Sequence, residues 1–139
     1  MKFFGYMLAI TFLVGCSTTP VLTSDAIPVS KERILEQGIK YQSSAPNTGQ
    51  VIVKRDAGTM GWLCTARIFI NSNPVADLET SEKISLYLPE GDYIISADPN
   101  GMCGGGIVEL TAKVKVGSTQ YFRYGFSGSG YPVLFPTAF

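Results

Sequence analysis

From Gln50 onward, apolar and polar residues alternate with the period of two that a half-buried strand imposes, because successive side chains leave opposite faces. Val51 and Val53 share one side of the first such segment, with Lys54 and Arg55 near its end. Cys64, Ala66, Ile68 and Ile70 share a face of the next, opposite Thr65, Arg67 and Asn71. Asn71-Ser72-Asn73 reads as a turn and Pro74–Leu78 as a short return strand. Ile84, Leu86 and Leu88 then point inward, Pro89-Glu90-Gly91 turns the chain, and Tyr93, Ile95 and Ala97 continue the apolar set. The clearest strand is Ile107–Val116, where Val108, Leu110, Ala112, Val114 and Val116 alternate with Glu109, Thr111, Lys113 and Lys115. Gly117-Ser118 suits a tight hairpin, Tyr121–Phe126 is the expected returning strand, and Tyr131–Phe135 closes the sheet.

The first fifty residues follow other rules. Ser30 can cap a helix over Lys31–Gln37, with Ile34 and Leu35 on its apolar side and Gly38 as its stop, and Gln42–Gly49 reads as a loop. Residues 16–29 are small and polar, contain Pro20 and Pro28 and lack periodicity, which is the pattern of a flexible tether. The expectation is one mainly β domain over residues 30–139, a small antiparallel sandwich or barrel-like unit with one short N-terminal helix.

Lys2 precedes an apolar run from Phe3 to Val14, too short to span a bilayer as a helix but suited to a secretory signal. Its end, Leu13-Val14-Gly15-Cys16, resembles the lipobox of bacterial lipoproteins. Residues 1–15 would be removed and Cys16, alkylated with a diacylglyceryl group, would become the acylated N-terminus. Several acyl chains, at about 0.8 kcal/mol per buried methylene, hold a protein stably on a membrane. Ser17 stands where lipoproteins retained on the inner membrane of many Gram-negative bacteria carry Asp. The resemblance thus implies the outer membrane, facing the periplasm.

Export changes the reading of the two other cysteines. In an oxidising compartment Cys64 and Cys103, 39 positions apart, are expected to form a disulfide, for which chain entropy gives about 4 kcal/mol. Two thiolates without histidine fall short of a tetrahedral zinc set, so no metal is expected.

Charge and composition narrow the function. Eleven basic and eleven acidic residues cancel, and without a basic stripe no nucleic-acid partner is expected. The chain has no histidine, which removes the usual neutral-pH base and its nucleophile pairs. Gly104-Gly105-Gly106 follows Cys103 without the Lys-Ser/Thr pair or helix of a phosphate loop, and reads as a close turn beside the disulfide. Asp56, Asp77, Asp92 and Asp98 fall at expected strand ends or turns, where Asp ordinarily bonds backbone. A hydrolase would need two of them across a cleft. Seven of sixteen aromatics follow position 120, a pattern of packing in closing strands. Trp62, in Gly-Trp-Leu-Cys, is the better candidate for an exposed anchor, although packing against the disulfide is its expected role.

Taken together, Cys16-Ser17-Thr18-Thr19-Pro20, Pro28-Val29 with Glu32-Arg33, Val53-Lys54-Arg55-Asp56 before Cys64, Ile70-Asn71, Val75-Ala76, Leu88-Pro89-Glu90-Gly91 and Cys103-Gly104 resemble a family of small proteobacterial lipoproteins of uncharacterised function. That family has Gly where this chain has Ser72. The resemblance implies lipidation, export and a paired-cysteine β domain, and no catalytic residue. The expectation is a non-enzymatic, cofactor-free envelope lipoprotein, on a membrane through its lipid and in contact with another envelope protein. The alternative is a periplasmic ligand-binding or enzyme-inhibitor module, which an exposed loop bearing Trp62 and Gly104–Gly106 would favour.

Overall fold

The structure is a computed structural model that describes residues 18–139. Nine strands form two sheets: β1 (Ile27–Pro28), β2 (Thr48–Arg55), β3 (Thr65–Ile70), β4 (Asn73–Leu78), β5 (Glu82–Pro89), β6 (Gly91–Asn100), β7 (Val108–Val114), β8 (Thr119–Phe126) and β9 (Pro132–Pro136). One sheet has the order β1-β5-β2-β8-β9 and the other β4-β3-β6-β7. The faces that alternation marked as apolar meet between them, with Val51, Val53, Ala66, Ile68, Ile84, Leu86, Leu88, Ile95, Ala97 and Val114 all buried. The fold is a mainly β sandwich rather than a closed barrel.

Its pairing is not wholly antiparallel. The four-stranded sheet is, but β2 runs parallel to β8, and β1 parallel to β5. The expected hairpin at Gly117-Ser118 is instead an arch between sheets: β7 pairs with β6, while β8 pairs with β2 and β9. The strand ends at Val114 and the chain turns away, which leaves Val116 exposed. The arch packs tightly on β2, since a Cβ on Gly49 would lie 2.3 Å from the Lys115 carbonyl oxygen. The Asn71-Ser72 turn does join β3 to β4, with both residues at positive φ (47° and 67°). Glycine is favoured at the second of these positions, which Ser72 occupies here.

The segment after Ser30 is less helical than expected. Lys31–Arg33 forms a single 3-10 turn, and α1 covers only Glu36–Ile39. Gly38 lies inside α1 rather than stopping it, because the helix packs on β4 so closely that a Cβ there would meet the Val75 carbonyl oxygen at 2.1 Å. Leu35 donates its N–H to that same carbonyl at 2.9 Å, and Ile34 forms a bridge with Ala76, so the segment covers part of the β4 edge.

The reading of residues up to 29 as a tether is corrected over the described part. Thr19 bridges to Ala57, Ile27 and Val29 bond to Ser81 and Lys83, and Ala26 and Val29 are buried. Pro20 to Ser24 and the C-terminal residues 137–139 lie over the outer face of β2 and β8. Lys54 is consequently enclosed at 1 % exposure, its ammonium donating to Thr23 Oγ1 at 3.2 Å and to the Phe139 backbone oxygen. Burial pushes its pKa below the ordinary lysine value, and the charge of Asp56 opposes that shift.

Candidate interaction surface

All of the connections β2–β3, β4–β5, β6–β7 and β8–β9 fall at one end of the sandwich. The bridge Cys64–Cys103, with Cα atoms 6.0 Å apart, ties the loop before β3 to the loop after β6. Gly104, Gly105 and Gly106 are exposed. Gly105, at φ +129°, presses on the start of β9, where a Cβ would sit 2.8 Å from Pro132 Cδ. The segment beside the disulfide is a bend rather than a hydrogen-bonded turn, and glycine is required at Gly105 within it.

Arg55 organises the end from below. Its side chain is buried, and its guanidinium donates to the carbonyls of Gly61 at 2.6 Å, Leu78 at 2.9 Å and Cys64. Among the described residues no carboxylate bonds to it, and desolvation lowers its pKa below the usual arginine range. Gly61, at φ +70°, lies against the Phe126 ring, with 2.6 Å left for a Cβ. Because Gly61 and Cys64 hold the loop inward, the residues between them turn outward. Trp62 is 65 % exposed and Leu63 69 %. This corrects the expectation that Trp62 packs on the disulfide. Met102 beside Cys103 and Tyr131 beside Pro132 are also strongly exposed, at 94 % and 68 %. Residue type points to Trp62 and the glycines in the sequence but not to Leu63, Met102 and Tyr131. The available signal was that residues 57–66, 99–108 and 124–139 contain no charged side chain.

The candidate acids are already occupied or apart. Asp56 is buried and takes a bidentate pair from Arg123, at 3.1 and 2.5 Å, together with the Thr18 hydroxyl at 3.1 Å. Arg123 also lies 4.7 Å from the centre of the Phe135 ring. Asp77 receives two bonds of 2.8 Å from Arg67 across the β3–β4 pair, and that hydrogen bonding raises the arginine's pKa. Asp92 stands at the opposite end, across from Lys113. Among the late aromatics, Phe122, Tyr124 and Phe126 are core, as packing predicts, whereas Tyr131 and Phe139 face solvent.

Cys16, the expected lipidation site, and the whole expected signal lie outside the described residues. The chain enters the described part at this same end. The Thr18 N–H donates to the Phe126 carbonyl at 3.3 Å, and its hydroxyl accepts the Phe126 N–H at 2.9 Å. A search against protein-family models, curated proteins and solved structures finds no match to the chain.

Proposed function

We propose that this chain is a lipid-anchored protein of the cell envelope whose β-sandwich acts in binding rather than catalysis. The observation that carries the reading is the Cys64–Cys103 bridge. A disulfide inside a folded domain belongs to an oxidising compartment, and the chain's first fifteen residues have the form of a signal that leads there. Alkylation of the Cys16 thiol and acylation of its freed amine would then fix the product on a membrane, with Ser17 favouring the outer one. A binding role is supported by what the charges at the loop end do, since the buried Arg55 holds backbone and the buried Asp56 is taken by the half-buried Arg123.

The test is metabolic labelling with an alkyne fatty acid. The native protein takes up label and has lost residues 1–15, while Cys16→Ser takes up none. A native protein that stays unlabelled and keeps its first fifteen residues overturns the reading. A second reading, a module that binds a periplasmic protein or ligand, is favoured by the exposure of Trp62 on a disulfide-tied loop. It requires a soluble protein or ligand that shields Trp62 in the absence of any membrane.

A further inference from the structure

We propose that the loop end of the sandwich is a membrane-docking face, on which Trp62, Leu63, Met102 and Tyr131 enter the interfacial layer of the bilayer that holds Cys16. The inference rests on the lipoprotein reading and adds the orientation of the domain and the identity of its partner, a lipid surface.

The first argument is the length of chain available. Thr18 is held by hydrogen bonds to Asp56 and Phe126, and Thr19 is bridged to Ala57. Asp56–Ala57 and Phe126 are the roots of the loops that carry Trp62 and Tyr131. Only Ser17 separates Thr18 from Cys16. Two residues, even fully extended, reach roughly 7 Å. An acyl group on Cys16 thus brings the membrane surface to the base of these loops, and so short a leash prevents the domain from presenting its far end instead.

The second argument is chemical fit. The three loops carry no charged residue, so nothing on them opposes entry into a headgroup layer. Tyr and Trp combine an apolar ring with a polar tip and favour the headgroup level, while Leu63 and Met102 offer aliphatic surface to the acyl boundary. Of the exposed acids toward this end, Asp25 and Glu79 sit at the β1–β5 edge, where Arg33 reaches Glu79 at 3.5 Å, and Glu109 is the second residue of β7, outside the loops themselves. The opposite end, by contrast, displays Lys40, Glu90, Asp92, Lys113 and Lys115 to water.

Trp62 is the chain's single tryptophan and reports on its own surroundings. The full-length protein, processed in cells and checked for acylation by intact mass, is reconstituted into phosphatidylcholine vesicles with plain or brominated acyl chains. The expected result is a severalfold loss of Trp62 emission in brominated vesicles, with iodide quenching reduced severalfold relative to the unacylated Cys16→Ser protein in buffer. Leu63→Ser combined with Met102→Ser, both exposed, should weaken the bromine effect. An acylated protein whose Trp62 ignores bromine and stays open to iodide overturns the inference while leaving the anchor standing. Shielding from iodide without bromine quenching overturns it in favour of a protein partner or a second copy. A mass without acyl groups overturns the anchor itself, and this inference with it.

Discussion

Tyr124 heads the wholly buried side chains by volume, and among the described residues its hydroxyl makes no hydrogen bond. Burial pushes its pKa up to about 12, only partly offset by the nearby Arg55 cation. Removing the oxygen removes a desolvation cost, so Tyr124→Phe is expected to stabilise the fold by about 1 kcal/mol in urea titrations at neutral pH. The phenol has a second consequence at high pH. The unfolded chain releases this proton near pH 10 and the folded one near 12. Stability is therefore intact below pH 10 and falls as pH rises toward 12, by up to about 3 kcal/mol from this group. Urea titrations at successive pH values should show that fall in the native protein and a shallower one in Tyr124→Phe. Neither the missing bond nor the burial of Arg55 is legible in the sequence. Alternation marked Tyr121–Phe126 as a strand, but a cation beside a strand end reads as solvated until three carbonyls from distant segments are seen to converge on it.

At the level of elements, the strands and their inward faces were legible because period-two alternation is a local property. Pairing is not, and the arch after β7 illustrates the difference. Gly117-Ser118 reads as a hairpin because nothing nearby says that β8 is taken by β2, which lies far back in the chain. The segment before Val29 was opaque for a related reason. Small polar residues and prolines look like a leash, whereas the bonds that hold Thr18, Thr19 and Thr23 come from Asp56, Ala57, Phe126 and Lys54. Gly125 is the key to that attachment, since a Cβ there would lie 2.4 Å from both Asp56 Oδ2 and Thr18 Oγ1. Gly125→Ala is expected to dislodge the N-terminal segment at about 1–3 kcal/mol. In hydrogen exchange the amides of Thr19 and Ala57 should open, while those of the β3–β6 pair keep their protection.

For the molecule as a whole, the disulfide is the one long-range tie between loops that could be read from residue types alone, given export. It closes the span from Cys64 to Cys103, which contains β3 to β6. Reduction is expected to cost up to about 4 kcal/mol, seen as a lower urea midpoint with reductant present, because the freed chain regains loop entropy when unfolded. The exposed crown around that bridge was legible only in part. Trp62 stands out in any sequence, but the exposure of Met102 and Tyr131 follows from how three loops meet.

The neighbours Gln50 and Thr119 of the β2–β8 pair stand 69 positions apart, and because the strands are parallel no tight turn can bring them together. A polypeptide that emerges amino end first must therefore wait, with one flank of its central strand bare, until Thr119–Phe126 has appeared. Bare flanks recruit foreign strands. Truncation before Thr119 should accordingly yield a fragment that aggregates, seen as its loss from the supernatant on sedimentation, where the chain through Phe139 remains.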